Sequence, residues 1–211
     1  RSMGDDKTEA DFVLEQIMNL VKNHGYRYSD FAILVRINSI TRIFEDRMSS
    51  YGMPYKVIGG FKFYERKEIK DFIAYLRMAV NPADGESVTR IINFPKRGIG
   101  DACVEALIQV CAERNMSLFD GLMEVEDLDL SPAYKKKLTQ FAALAKDISK
   151  KKDDMPLDEY VKYVFDKVDF YSAYDVDDPE GRTKLENIDQ FLTSVHEFCA
   201  DNPDVKLEEY L

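Results

Sequence analysis

Only two stretches of this sequence read as β-strand, and two strands do not make a stable sheet by themselves. The first is Phe31–Ile37 (FAILVRI), short and almost wholly apolar, with the isoleucine and valine content of a strand buried on both faces. The second is Tyr55–Ile58, closed by Gly59 and Gly60. Between them Ser39–Tyr51 has helical spacing through Ile40, Ile43, Phe44, Met48 and Tyr51, and Gly52 ends it. The strand–helix–strand order predicts a βαβ unit in a parallel sheet. The count of strands leaves that unit incomplete, so its remaining strands are expected outside these 211 residues.

Nearly everything else has helical periodicity. Thr8–Asn23 carries Phe12, Val13, Ile17, Leu20 and Val21 on one face, with Thr8 as the expected N-cap and Gly25 as the stop. From Glu65 onward Ile69, Phe72, Ile73, Leu76 and Val80 form a stripe ended by Asn81-Pro82. Ser87–Asn93 is ambiguous between helix and strand, Pro95–Gly100 is a loop, and Asp101–Arg114 is a helix. The acidic, aperiodic Glu124–Leu130 and the Ser131-Pro132 pair after it mark a domain boundary. Helices follow at Ala133–Lys150, Leu157–Tyr171 and Thr183–Cys199, and Leu207–Leu211 reads as a first helical turn. The aromatics Tyr160, Tyr163, Phe165, Phe170, Tyr171 and Tyr174 are placed mostly in the core. The expected fold is mostly α with a small parallel β portion (α+β), in two parts: residues 1–124 and residues 131–211.

The formal charge is −10, which opposes nucleic-acid binding if taken as a sum. Binding uses local patches, however, and the charge is uneven. Acid gathers at Glu124–Asp129 and Asp175–Glu180, base at Arg66–Lys70 and Lys96–Arg97. Cys103, Cys111 and Cys199 lack metal-type spacing, and His24 and His196 lie far apart, so no metal site is expected. Free thiols, the lack of an apolar run long enough for a membrane span and the lack of a secretory leader favour the cytoplasm and no membrane partner. Arg1-Ser2-Met3-Gly4 reads as a cloning remnant.

Three places can carry chemistry. Arg36 sits at the C-terminal end of the first expected strand, where open α/β sheets bind ligands. Its guanidinium either grips a phosphate or leaves the core to pair with an acid. Gly59, Gly60, Arg66 and Lys67 lie in GGFKFYERKE, where glycines admit a phosphate, aromatics stack on bases and cations neutralise phosphate. The alternative there is a turn, core aromatics and a solvated helix start. Lys96, Arg97, Gly98, Ile99 and Gly100 form a turn before a helix, where backbone N–H groups can hold a phosphate without reading sequence. Lys96 and Arg97 would add charge and Ile99 would anchor the turn; the alternative is a plain tight turn. No GxxxxGK[ST] phosphate loop occurs anywhere in the chain.

These stretches, in this order, resemble the UvrD/PcrA/Rep family of superfamily 1 DNA helicases. FAILVRINSITRIFED is similar to the family's motif IV, PYKVIGGFKFYERKEIKDFIAYLRMAVNP to its motif IVa, and RIINFPKRGIG to its GIG element. The resemblance is close over about Asp30–Asp101 and otherwise rests on helical pattern and length. It implies that residues 1–124 are part of the second RecA-like motor domain and residues 131–211 the helical 2B subdomain. It implies an intact parent that couples ATP hydrolysis, with Mg²⁺, to 3′-to-5′ movement on DNA. Arg36 would contact the γ-phosphate, and the GIG turn would touch duplex at a single-strand junction. Many members carry an aromatic residue before that arginine, near the adenine; here it is Val35, so no stacking role is expected. The phosphate loop and Mg²⁺-binding acid are expected before Arg1, the last two helicase motifs after Leu211. The implied partners are DNA, the remainder of the same helicase chain, and proteins bound by the helical subdomain. No ATP or metal is expected on these residues alone, which are expected to be inactive as an ATPase. The rival reading is a non-enzymatic protein-interaction or regulatory module derived from a helicase, which the acidic balance favours.

Overall fold

A computed structural model describes residues 6–35, 38–57 and 63–211. The chain forms two compact units, Arg1–Arg66 and Lys67–Leu211.

In the first unit two helices, α1 (Asp6–His24) and α2 (Asn38–Ser50), pack on each other. Their core is Ala10, Leu14, Ile17, Phe44 and Met53. Gly25 and Gly52 follow the two helices with positive φ (75° and 64°), the left-handed stop that the sequence leads one to expect. Thr8 is not the cap of α1, because the helix is already formed at Asp6.

Among the described residues there is no β-strand, so the expected parallel β portion, and with it the α+β class and the RecA-like sheet, is not found. An apolar run signals burial, but a strand also needs neighbouring main chain to bond. Phe31 and Ile33 pack against the α1–α2 core. Leu34 is 95 % exposed, so the run is not covered on both sides. Tyr55–Val57 pairs with nothing as a strand either. The observed class is helical.

The second unit is an all-helical assembly around α3 (Lys67–Val80), with α4 (Gly85–Ile91), α5 (Asp101–Glu113), α6 (Leu118–Met123), α7 (Pro132–Lys151), α8 (Leu157–Val168), α9 (Pro179–Asp201) and α10 (Leu207–Tyr210). Nine of the fourteen α3 residues are buried, because α4, α7, α8, α9 and α10 all pack on it. Phe72 sits at the centre, edge-on to Phe165, Phe170 and Phe191 at 5.0–5.9 Å between centroids. Such edge-to-face pairs add to the burial energy of large rings. Tyr160, Phe165 and Phe170 are fully buried, as expected, while Tyr171 is 47 % exposed. Two buried acids on α3 find partners: Glu68 accepts from Asn187 of α9 at 2.6 Å, and Asp71 pairs with Arg90 of α4 at 2.7 Å. Burial still raises the Asp71 pKa, against the pull of Arg90.

The ambiguous Ser87–Asn93 segment is helical through Ile91, started by Asp84, whose carboxylate accepts from the Ser87 N–H and hydroxyl. The acidic Glu124–Ser131 stretch lies inside the second unit, and the turn at Val125–Asp127 packs on α7.

Candidate nucleic-acid interface

Between α4 and α5 the chain turns through Asn93–Gly100. The turn is built inward from one side chain: Asn93 Oδ1 accepts from the backbone N–H of Arg97 (2.9 Å) and of Ile99 (3.0 Å). Ile99 is 1 % exposed and pins the turn to the core. Gly98 has φ +71°, a conformation side chains resist, and both Gly98 and Gly100 are exposed. Gly100 is the N-cap of the 13-residue α5, and its carbonyl accepts from Cys103 and Val104. Among the described residues the N–H groups of Gly98, Gly100, Asp101 and Ala102 have no protein acceptor. The glycine turn and the first turn of α5, at the positive end of the helix dipole, thus carry four unpaired donors within five residues.

The cations are not arranged as the sequence suggests. Lys96 is exposed. Arg97 turns into the protein: Nη1 donates to Ile91 O (3.0 Å) and Phe94 O (2.7 Å), and Nη2 to the Tyr75 hydroxyl (2.7 Å). Its guanidinium also lies 5.3 Å from the Phe141 ring of α7. Tyr75 in turn donates to Phe94 O, and burial pushes its pKa up to about 12, so it stays a neutral link between Arg97 and the turn. Arg97 therefore ties the turn to α3, α4 and α7. From α7, 39 residues on, Lys137 reaches back and donates from Nζ to Gly98 O at 2.6 Å. Asn93, Tyr75 and Lys137 were not found from the sequence. A polar residue closing a helix ahead of a proline was the available sign for Asn93; the Lys135–Lys137 run was the sign for Lys137.

The family model described as "UvrD-like helicase C-terminal domain" matches residues 1–211. The chain belongs to that family. It is 36 % identical over 199 residues to the ATP-dependent DNA helicase PcrA of Staphylococcus aureus strains Mu50 and COL, and 35 % identical to that of Staphylococcus epidermidis. Each alignment covers 94 % of this chain and 27 % of the relative, so the chain spans about a quarter of the length of these helicases.

Of the other expected site residues of this UvrD-like domain, Lys67 lies in the same unit as the Asn93–Gly100 turn and Arg66 in the other. Arg36, Gly59 and Gly60 lie outside the described residues. Arg66 closes the first unit with its guanidinium 5.3 Å from the Phe63 ring, which Arg42 also faces at 5.2 Å. Glu45, 2 % exposed, accepts from the Phe63 N–H (3.3 Å), and burial raises its pKa although that hydrogen bond, Tyr55 and the Arg66 charge oppose the shift. Lys67 is exposed and opens α3; its carbonyl accepts from Arg90. Among the described residues no group of His, Cys, Asp and Glu is placed to hold a metal, and no helix is long and apolar enough to cross a membrane.

Proposed function

We propose that this chain is a DNA-contacting part of an ATP-dependent 3′-to-5′ DNA helicase, and that its Lys96–Gly100 turn holds a duplex phosphate. The observation that carries the reading is the exposed Gly98–Gly100 turn at the start of α5. It offers four N–H groups that nothing described in the protein uses, and Asn93 and Arg97 hold it rigid. Such donors bind phosphate oxygens irrespective of base sequence. Membership of the UvrD-like family and likeness to proteins named ATP-dependent DNA helicases make duplex DNA the fitting source of that phosphate. In the intact parent, ATP and Mg²⁺ would be the cofactors and Arg36 would meet the γ-phosphate, a charge-stabilising role suited to a guanidinium fork. Gly59, Gly60, Arg66 and Lys67 remain candidates for further DNA contact on the same resemblance. Residues 131–211 correspond in this reading to the family's helical 2B subdomain.

The formal charge of −10 favours the rival, a helicase-derived module that binds protein and not DNA. Fluorescence anisotropy of a labelled duplex at several salt concentrations decides between them. The expected affinity lies in the non-specific range, ~10⁻⁴ to 10⁻⁶ M at physiological salt. Gly98→Val, strained at φ +71°, should abolish binding. Lys96→Ala should weaken every sequence alike and lower the salt slope by about one unit. If both variants, folded by circular dichroism, bind like the parent chain, the turn is structural and the protein-binding reading takes its place.

A further inference from the structure

We propose that Lys137, on the first turns of α7, is the second phosphate-neutralising cation of the turn, the place that Arg97 fills in the sequence but not in space. This deepens the reading above and rests on it. The observation is a pairing across 39 residues: Lys137 Nζ lies 2.6 Å from Gly98 O, on the one residue whose backbone conformation defines the turn. The same Nζ is the nearest atom, at 3.9 Å, to the place a Gly98 side chain would fill. That place is the space on the exposed side of the turn which glycine leaves open.

Chemistry makes this contact additive. An ammonium has three N–H donors and no acceptor. Lys137 spends one on Gly98 O, and among the described residues no carboxylate pairs with it and no other acceptor takes its remaining protons. Two donors and a full positive charge remain on an exposed side chain beside the unpaired N–H groups. The charge also extends over the first turn of α5, where it acts on the Cys103 thiol against the effect of burial. Its neighbour Lys135 is occupied otherwise, donating to Glu126 O at 2.6 Å. Arg97 has both terminal nitrogens bonded to Ile91, Phe94 and Tyr75, so it positions the turn and does not share in neutralising phosphate. The shape offered, backbone donors flanked by Lys96 and Lys137 with no contact able to read a base, fits a duplex backbone phosphate.

The test is duplex anisotropy against salt on the 211-residue chain, comparing Lys137→Met, Lys137→Arg, Gly98→Val and, as a control for net charge, Lys146→Met on an exposed face of α7. Lys137→Met keeps an unbranched side chain only one atom shorter and removes its charge. It should lower the slope of log affinity against log salt by about one unit, since one phosphate fewer is neutralised. Lys137→Arg and Lys146→Met should keep the parent slope. If Gly98→Val loses binding while Lys137→Met keeps the parent slope and affinity, the turn binds DNA and the assignment of Lys137 is overturned alone. If Lys137→Met binds more weakly at an unchanged slope, Lys137 only braces Gly98, and the assignment is likewise overturned. If Gly98→Val binds as the parent does, both readings are overturned together.

Discussion

At the scale of the residue, the turn depends on one amide oxygen. Asn93 Oδ1 satisfies the N–H groups of Arg97 and Ile99, which flank the glycine at φ +71°. Asn93→Ala leaves two partly buried donors unpaired, a loss of about 1–3 kcal/mol by the usual cost of an unsatisfied group. Asn93→Asp keeps the acceptor and should retain most of that stability, yet it brings negative charge to the phosphate site. The expected outcome is a split: urea unfolding separates Ala from the parent, while duplex binding separates Asp from the parent. An Asn93→Ala protein as stable as the parent would show that Ile99 burial alone holds the turn. Arg97 teaches a related lesson. A guanidinium spreads its donors over separate nitrogens in one plane, so Arg97 reaches two carbonyls with Nη1 and the Tyr75 hydroxyl with Nη2 while lying over Phe141, whereas an ammonium gathers its three donors on one atom.

At the scale of the element, α4 supplies the platform from which the turn departs. It is a seven-residue helix, too short to persist by propensity, and its Asp84 cap and packing on α3 hold it. The Ser87 hydroxyl and N–H donate to the Asp84 carboxylate and depress its pKa. A depressed acid stabilises the fold above its unfolded pKa, ~3.9, and the contribution disappears as pH falls through the lower folded value. Asp84→Ala should cost about 1 kcal/mol at pH 7. Asp84→Asn should keep the cap and remove this group's share of the acid dependence. Urea unfolding at pH 7 and below pH 4 checks both, and equal acid sensitivity in the parent and Asp84→Asn would show that Asp84 does not titrate with folding. Element by element, α3, α5 and α7 were legible because long apolar stripes survive any packing. The six-residue α6 was not, since Leu118–Met123 is too short for a period, and Ser117, its cap, was the only sign.

At the scale of the molecule, the absence of a GxxxxGK[ST] loop from the sequence governs what these residues do alone. Transfer of a phosphoryl group needs a cradle for the β- and γ-phosphates as well as a stabilising arginine. The purified chain is therefore expected to release no phosphate from ATP, with or without single-stranded DNA. Steady-state turnover that survives repurification would overturn this and would place a nucleotide site within the 211 residues. The family assignment was also legible at this scale, because the motif IV, motif IVa and GIG stretches occur in order, and the family model spans the whole chain.

The sequence by itself determined the longer helices, the stops at Gly25 and Gly52, most of the aromatic core and the family. All of these are set by local spacing or by residue order, which need no knowledge of neighbours in space. Phe31–Val35 shows the limit of that reading: apolar residues report a wish for burial, and only neighbouring main chain makes a strand. Tertiary structure alone decided which cations stand beside the Gly98 turn. Arg97 is adjacent in sequence but is drawn inward by Tyr75 and two carbonyls, while Lys137, 39 residues away, is carried to Gly98 by the packing of α7 on α3. A charge in sequence has a neighbour list of its own making only after the chain has folded, because hydrogen-bond reach is about 3 Å and takes no account of residue number.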